Sequence, residues 1–309
     1  MTTLNRRQLL AASTAAGLTL ASVAPARAAA DPTKLRFCLN TSTIRGQGLP
    51  IEEEVALVSA AGYDGIEPWM RELEAYREAG KSIPDLKKKI ADSGLRVESA
   101  IGFATWIVDD EAQRKAGIEQ LRHDMDLLQQ IGGVRIAAPP IGMQKPDATK
   151  VDLLAAAERY AAALKVGREF GVTPQVEVWG FSRNLSRLGE AVFVALESGE
   201  PDACILPDVY HIYKGGSSFE GLHMLSGVSI PCFHFNDYPA QPGRAEINDS
   251  YRVYPGDGVA PWPLIISTLK KIGFNGVVSL ELFNKEYWAQ DPKLVLETGL
   301  KKLKAVFAS

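Results

Sequence analysis

Residues 60–69, AAGYDGIEPW, join the end of a helical segment to the start of a strand through a glycine. Gly62 falls where a left-handed residue commonly ends a helix, and the short run that begins at Gly65 is typical of a strand. The same order, a helical segment, a glycine and then a strand, recurs around Gly94, Gly171 and Gly273. Strands that alternate with helices indicate βαβ units and therefore a parallel sheet.

Eight short apolar runs along the chain predict eight strands. They are Leu35–Leu39, Gly65–Pro68, Arg96–Ile101, Val134–Ala138, Pro174–Val178, Ala203–Leu206, Cys232–Phe235 and Gly276–Leu280. Amphipathic segments between them predict helices at Ile51–Ala61, Asp85–Ser93, Ala112–Ile131, Val151–Phe170, Leu185–Ser198, Leu264–Ile272 and Pro292–Phe307. Eight such units in roughly 280 residues fit a single closed (β/α)₈ TIM barrel, a parallel eight-stranded sheet with outer helices.

An open, doubly wound sheet is the alternative fold, and it usually carries a glycine-rich phosphate loop after its first strand. Here the residues after the first strand are Asn40 to Ile44, NTSTI, which contain no glycine. The chain has neither a G-x-G-x-x-G motif nor a P-loop, so the sequence gives no sign of nucleotide binding.

The first 28 residues have the order of an export signal. Arg6 and Arg7 precede an uncharged run from Leu9 to Ala24, and an A-x-A site ends at Ala28. The paired arginines favour the twin-arginine route and a periplasmic or otherwise exported protein. A membrane anchor is the alternative, but the run is short for a span, so we expect no stable anchor after signal removal. The barrel domain is predicted to cover residues 29–309.

Net charge and the positions of the cysteines give two further expectations, about nucleic-acid binding and about disulfides. Removing residues 1–28 takes away Arg6, Arg7 and Arg27 and no acidic residue, which lowers the net charge from −3 to −6. An acidic surface disfavours nucleic acid as a partner. The cysteines, Cys38, Cys204 and Cys232, each lie in a short apolar run, so we expect buried strand residues and no disulfide scaffold. The sequence leaves a homo-oligomer open.

Side chains that can bind a metal stand at the ends of four successive predicted strands. Glu177 lies near the end of strand five, Asp208 follows strand six, His234 lies in strand seven and Glu281 follows strand eight. In a parallel barrel the carboxyl ends of the strands open into the active-site mouth, so these groups are predicted to converge.

Crowded carboxylates repel one another, and their pKa values rise unless a cation neutralises them. We therefore expect one divalent metal ion at Glu177, Asp208, His234 and Glu281. A site rich in oxygen with one nitrogen ligand suits Mn²⁺, Co²⁺, Mg²⁺ or Fe²⁺, and Zn²⁺ remains an option because ligand type only biases the choice.

From Leu35 onward the chain resembles the xylose isomerase-like TIM-barrel superfamily, in its sugar phosphate isomerase/epimerase branch. The motifs that carry the resemblance are GYDGIE at 62–67, Glu177, DVYH at 208–211, HFND at 234–237, RVYPGDG at 252–258 and Glu281. The resemblance implies that Glu177, Asp208, His234 and Glu281 bind the metal. It also implies that Glu177 and Glu281 form the acid–base pair.

The resemblance further implies that His211 and Arg252 reach oxygen atoms of the substrate. The alternative for His211 is a loop histidine satisfied by backbone groups. The alternative for Arg252 is a tether for the long loop at residues 238–261, which is either a lid over the mouth or a surface excursion.

Glu67 leaves strand two toward the same mouth, where it either hydrogen-bonds substrate or pairs with Arg71. Trp69, Trp106 and Trp179 follow strands two, three and five. Aromatic rings near a barrel mouth can stack on the C–H face of a sugar, or they can simply be packed. We include Glu67 and Trp106 among the predicted substrate-binding residues.

Together these features predict a divalent-metal-dependent isomerase or epimerase that acts on a small carbohydrate, a keto-sugar or cyclitol. It removes a proton next to a carbonyl through a metal-bound enediolate. A lyase or dehydratase acting on an inosose or 3-keto-glycoside through the same enediolate is the first alternative. An endonuclease IV-like hydrolase and a non-catalytic sugar-binding protein are the others.

Overall fold

The computed structural model describes residues 35–308. The predicted export signal at residues 1–28 lies outside the described residues and stays a prediction, as does the domain boundary at residue 29. Within the described residues, no helix combines the length and the apolar character that crossing a bilayer requires.

Eight parallel strands follow one another in chain order. They are β1 (Arg36–Asn40), β2 (Gly65–Glu67), β3 (Arg96–Val97), β4 (Arg135–Ala138), β5 (Thr173–Glu177), β6 (Ile205–Leu206), β7 (Cys232–Phe235) and β8 (Val277–Leu280). One sheet has the order β3-β2-β1-β8-β7, and a second has the order β4-β5-β6.

Backbone hydrogen bonds join the two sheets at both gaps. Next to β3, Ala100 donates its N–H to the carbonyl of Arg135 at 3.0 Å and accepts from the N–H of Ala137 at 2.8 Å. Next to β6, the N–H of His234 donates to the carbonyl of Pro207 at 3.0 Å. The eight strands therefore form a ring, with the carboxyl end of each strand at the same rim.

Helices cover the outside of this ring. They are α1 (Ile51–Ala61), α2 (Met70–Glu78), α3 (Ile83–Asp92), α4 (Glu111–Gln130), α5 (Leu153–Phe170), α6 (Leu188–Glu197), α7 (Val209–Gly215), α8 (Trp262–Lys271), α9 (Lys285–Trp288) and α10 (Pro292–Ala308). The predicted glycine caps are confirmed, because Gly62, Gly94, Gly171 and Gly273 all have positive φ angles. Between α7 and β7 the chain forms a short 3₁₀ helix at Phe219–Met224.

Strand β3 is shorter than the predicted Arg96–Ile101. Beyond Val97 the chain pairs irregularly with both neighbouring strands. Glu98 donates its N–H to the carbonyl of Ile66 in β2, at 3.2 Å, and Ala100 pairs with Arg135 in β4. Ile101 then donates to the carbonyl of Pro68, just after β2, at 3.0 Å. The regular ladder therefore ends at Val97, although hydrogen bonds to both neighbours continue to Ile101.

Alternation along the strands decides which side chains enter the barrel. In β7, Cys232 belongs to the apolar cluster inside the ring, and Phe233 and Phe235 belong to the core between strands and helices. His234 therefore points inward, as successive side chains of a strand point to opposite faces. The same two-residue alternation along β8 places Glu281 inside the barrel and Leu280 on its outer face, toward the helices.

The barrel interior holds small and polar side chains. Cys38, Leu206, Cys232 and Val277 form its apolar part, and all of them are fully buried. Cys38, Cys204 and Cys232 are buried and unpaired, as predicted. Cys38 and Cys232 lie in strands, whereas Cys204 immediately precedes β6. A floor of small apolar residues therefore lies beneath the rim where the polar site forms.

The long loop between β7 and α8 is folded around the buried carboxylate of Asp237. This carboxylate accepts five hydrogen bonds, from the N–H groups of Tyr238 (2.8 Å), Gly256 (2.9 Å), Gly258 (3.1 Å) and Ala260 (2.9 Å) and from the indole N–H of Trp262 (2.7 Å). A Cβ at Gly258 would lie 2.3 Å from Oδ1 of Asp237, so only glycine permits this approach.

The first half of the loop is held to α7. Lys214 donates from Nζ to the carbonyl oxygens of Arg244 and Ala245, both at 2.9 Å, and of Ile247, at 2.7 Å. Val253 and Asp237 exchange two backbone hydrogen bonds of 2.9 Å. The loop is thus fixed to the barrel in both halves and presents Arg252 to the mouth.

We expect Asp237→Asn to lower the free energy of unfolding by about 2–4 kcal/mol, because the amide group leaves buried backbone donors without an acceptor. Urea denaturation measures this change. Asp257→Asn is the matched control on the same loop, since its partly exposed carboxylate pairs with Lys302 and contributes below about 1 kcal/mol. Equal losses in the two variants would contradict the role given to Asp237.

Candidate active site

Asp208 connects strand β6 to helix α7. It is the N-cap of α7, where its Oδ1 accepts the backbone N–H of His211 at 2.7 Å. Its other oxygen, Oδ2, accepts from Nδ2 of Asn236 at 2.8 Å and from Nη1 of Arg252 at 2.9 Å. A carboxylate is favourable at a helix N-terminus, so the same residue starts the helix and supplies an acid to the rim.

The four predicted metal ligands lie close together around the ring of His234. Its Nδ1 lies 3.3 Å from Oε2 of Glu281, 3.9 Å from Oε1 of Glu177 and 3.9 Å from Oδ2 of Asp208. All four side chains are buried. The structure therefore brings the acids of three separate strand ends to one imidazole nitrogen.

Glu67 lies beneath this cluster. Its Oε2 is 3.0 Å from Nε2 of His234 and accepts hydrogen bonds from Oγ of Ser279 at 2.7 Å and Nδ2 of Asn40 at 3.0 Å. The prediction that Glu67 binds substrate or pairs with Arg71 is therefore wrong. Glu67 is fully buried against His234, and the guanidinium of Arg71 lies 4.5 Å from the ring centroid of Trp69.

Arg252 is the buried cation of the site. Nη1 donates to Oε2 of Glu281 at 2.8 Å as well as to Asp208, and Nη2 donates to Oδ1 of Asp249 at 2.6 Å. Asp208, Asp249 and Glu281 together raise the pKa of Arg252 and outweigh the effect of its burial. Arg252 therefore stays charged and neutralises part of the negative cluster. Its backbone carbonyl also accepts from Asn284, so it ties the loop to the segment after β8.

His211 contacts Arg252 through a ring nitrogen. Nη2 of Arg252 lies 3.0 Å from Nε2 of His211. Since a guanidinium only donates, Nε2 is the acceptor and the proton of the neutral ring lies on Nδ1. Burial lowers the pKa of His211, which favours that neutral form. Nδ1 is buried without a hydrogen-bond partner, so His211 offers one unused donor at the cavity.

The two glutamates have pKa values displaced in opposite directions. Burial raises the pKa of Glu177 to about 8, and Glu281 and Asp208 add to the rise while His234 opposes it. Burial acts on Glu281 in the same sense, but His234 and Arg252 outweigh it and hold its pKa well below the ordinary value. Two carboxyl groups separated in this way are suited to acid and base roles.

A cavity of about 190 Å³ opens above the cluster. Its polar walls are Glu177, His211, Asp249, Arg252 and Glu281, and its apolar walls are Trp69, Ile101, Phe103, Trp179, Phe181 and Phe283. The tryptophans after strands two and five thus line the cavity.

The prediction that Trp106 binds substrate is wrong. Trp106 is fully buried, its indole N–H donates to the carbonyl of Pro139 at 2.8 Å, and its ring packs against Tyr160. The chain turns back toward α4 after Ile101, which carries Trp106 into the core.

Sequence reasoning did not single out several residues of the cavity and its supports. Phe103, Phe181 and Phe283 each follow a strand end by a few residues, and that spacing was the available signal. Asn40 supports Glu67 from the end of β1, where it also donates to Oε1 of Glu281 at 3.1 Å. A lone asparagine at a strand end gives no sequence signal of its own.

The other two histidines lie on outer helical segments away from this cavity. Nε2 of His123 is 2.5 Å from Oε1 of Glu74, and Nε2 of His223 is 3.3 Å from Oγ1 of Thr268. A metal cluster built on several histidines, as in the endonuclease IV-like alternative, would have only His211 and His234 at the mouth.

Relatives of the chain include isomerases, epimerases and dehydratases. An inosose isomerase of Bacillus velezensis is 24% identical over 275 residues, which cover 88% of this chain and 97% of the relative. A 3-dehydroshikimate dehydratase of Pseudomonas aeruginosa is 23% identical over 261 residues, which cover 82% of this chain and 39% of the relative. Such relatives confirm the prediction of an enzyme of the sugar isomerase and epimerase class.

The fold has a close counterpart among solved structures and a matching family model. The structure of a protein named IOLI, described with a binding zinc atom, has a TM-score of 0.82 and 22% identity, and the match covers 88% of this chain and 98% of that chain. The predicted TIM barrel is thereby confirmed. A family model described as xylose isomerase-like TIM barrel matches residues 55–306, so the chain belongs to that family.

Proposed function

We propose that the chain is a divalent-metal-dependent isomerase or epimerase that moves a proton next to the carbonyl of a keto-sugar or cyclitol. The observation that carries this proposal is the convergence of Glu177, Asp208 and Glu281 on Nδ1 of His234 at the floor of the cavity. The inosose isomerase of Bacillus velezensis supports a cyclitol ketone as the substrate.

The residues present fit a metal ion. Nδ1 of His234 and Oε2 of Glu177 are buried without a hydrogen-bond partner, which is costly unless another group satisfies them. Ligand atoms of Asp208, His234 and Glu281 lie within 4.8 Å of one another. Glu177, Asp208, His234 and Glu281 would hold the ion, and the zinc named for the IOLI structure supports zinc as one candidate.

A bound divalent ion would act as a Lewis acid toward the carbonyl and the neighbouring hydroxyl oxygen of the substrate. The protein supplies the groups that orient the sugar and move the proton. The Nδ1–H of His211 donates to a substrate oxygen, and Arg252 keeps His211 in the tautomer that can do so.

Glu281 and Glu177 are the acid–base pair of the proposed reaction. Glu281, which accepts a hydrogen bond from Arg252, takes the proton from carbon, and Glu177 delivers a proton to the opposite face. They come from β8 and β5, so they approach the cavity from different strands, as transfer between two faces of a carbon requires.

A dehydratase or lyase is the second candidate, with specific support. One relative is a 3-dehydroshikimate dehydratase, and elimination uses the same removal of a proton next to a carbonyl. In that reaction Glu177 gives its proton to the departing oxygen instead of to carbon. Arg183 stands six residues after Glu177, where the resemblance to tagatose-type epimerases would place a further glutamate, and this difference counts against the proton path specific to those epimerases.

The charge of the cavity supports an uncharged substrate. Glu177, Asp249 and Glu281 line it, and Arg252 is already bonded to Asp208, Asp249 and Glu281. A phosphate group would meet like charge there. This agrees with the predicted export of the protein, because phosphorylated sugars are mainly intracellular.

We expect the metal-loaded protein to catalyse deuterium uptake from D₂O into an inosose or keto-sugar at the carbon next to the carbonyl. Glu281→Gln removes the base and should slow this exchange by about 10²–10⁴-fold. Proton NMR of a panel of keto-sugars and inososes measures the exchange.

Glu158→Gln, an exposed position on α5, is the control for this experiment and should exchange at the wild-type rate. Absence of exchange across the panel in protein shown to contain metal would contradict the proposed proton transfer. It would shift the assignment to hydrolysis or to sugar binding without turnover.

We expect Glu67→Gln to weaken metal binding by about 10–100-fold, because Glu67 orients the ring of His234 and keeps Nδ1 free to bind. Titration calorimetry with Zn²⁺ and Mn²⁺ measures the affinity without reference to turnover. Glu158→Gln again serves as the control. An unchanged affinity in Glu67→Gln would show that His234 needs no such support.

A further inference from the structure

A chain of aromatic rings surrounds the mouth of the cavity. Neighbouring centroids are 6.0 Å apart for Phe283 and Trp69, 5.2 Å for Trp69 and Phe103, 6.3 Å for Phe103 and Trp179, 5.2 Å for Trp179 and Phe181, and 5.6 Å for Phe181 and His211. Arg252 completes the circle, since its guanidinium lies 5.0 Å from the ring of Phe283 and contacts His211. We call this set the aromatic collar.

The collar divides the mouth into an apolar side and a polar side. Phe103 follows β3 and Phe181 follows β5, so both lie on the side of the ring where β4 ends. Asp249 and Arg252 come from the loop after β7 and lie on the other side. A ligand that satisfies both sides has a polar part near the acids and an apolar part toward Phe103 and Phe181.

Two rings of the collar remain open to solvent. Phe103 is 39% exposed and Phe181 is 43% exposed, whereas Trp69 is only 8% exposed. Large aromatic side chains bury much apolar area in a contact, so an exposed pair next to a polar cleft suits ligand binding.

The turn that carries Phe181 is well held. Ser182 donates its N–H to the carbonyl of Trp179 at 2.8 Å, Trp179 to that of Leu185 at 3.0 Å, and Arg183 to that of Gln144 at 3.0 Å. The ring is therefore presented on a fixed support.

The cavity is too small to hold two rings. Pockets for larger organic ligands occupy roughly 300–1,000 Å³, and this cavity has about 190 Å³. Phe103 and Phe181 line it together with the acids, and they are the exposed residues of its wall. If one small ring occupies the space above the acids, a second ring attached to it extends toward solvent along these two phenylalanines.

We propose that Phe103 and Phe181 form a second subsite, which stacks on the flat apolar face of a ring joined to the reacting sugar. The substrate class is then a glycoside, in which the sugar ring lies above Glu177 and Glu281 and the attached ring lies on the two phenylalanines. This inference rests on the proposed function for the position of the sugar. An aryl group and a second sugar ring share the required flat face.

Titration calorimetry on the metal-loaded protein tests the subsite. The probes are methyl and phenyl β-glycosides of D-glucose, D-galactose and D-xylose, with cellobiose as the disaccharide arm. We expect at least one phenyl glycoside to bind about tenfold more tightly than its methyl partner, a gain typical of aromatic stacking. A gain for cellobiose over methyl β-glucoside would identify a second sugar as the attached ring.

The gain should disappear in Phe103→Ala/Phe181→Ala. Each phenyl glycoside is compared with its methyl partner in the same variant, so a loss of affinity common to both probes does not affect the result. Leu196→Ala is the matched control, because Leu196 is a 72% exposed apolar residue on α6 outside the collar, and it should keep the full gain.

Three outcomes would overturn the proposal: no probe with a second ring binds better than its methyl partner, the gain survives the double substitution, or no glycoside binds. The affinity ratio of a phenyl glycoside to its methyl partner tests only the contact with Phe103 and Phe181. Deuterium exchange tests only proton transfer by the glutamates. A protein that exchanges deuterium but shows no phenyl gain therefore keeps its proposed function and loses only the second subsite.

Discussion

The arrangement depends on how negative charge is tolerated out of water. Glu67, Glu177, Asp208 and Glu281 are buried within reach of one imidazole, and isolated buried carboxylates are too costly to persist. Arg252 compensates part of this charge through Asp208 and Glu281, and the hydrogen-bond donors of Asn40, Ser279 and Asn236 compensate more. Nδ1 of His234 and one oxygen each of Glu67 and Glu177 remain without a hydrogen-bond partner. The divalent cation of the proposed function would compensate the remaining negative charge.

Much of the fold could be predicted from the sequence because its main signals are local. Glycine caps and amphipathic segments depend on neighbouring residues, and α1 begins and ends where the pattern predicts. Helices α2 and α7 escaped prediction for physical reasons. The first is strongly polar, with only Met70 and Leu73 buried, and the second is seven residues long and depends on the Asp208 cap.

The convergence of the four strand-end residues followed from barrel geometry, whereas the partners of each side chain did not. Glu67 and Trp106 were both expected at the mouth because both follow strands. One instead supports His234 from below, and the other packs against Tyr160. Depth within a barrel depends on where each strand stops pairing and on how the loop then turns. Those distances link residues far apart in sequence, so no local pattern contains them.

Strand β7 sets a limit on how this site can evolve. Four consecutive residues, CFHF, alternate between the interior and the helix layer. The gain or loss of one residue there would carry His234 out among the helices and drive phenylalanine into the small interior space. Such a strand tolerates substitutions, but it does not tolerate insertions or deletions. Related chains that diverge in specificity should therefore differ in length in the connections beyond the rim and keep the same spacing within the strands.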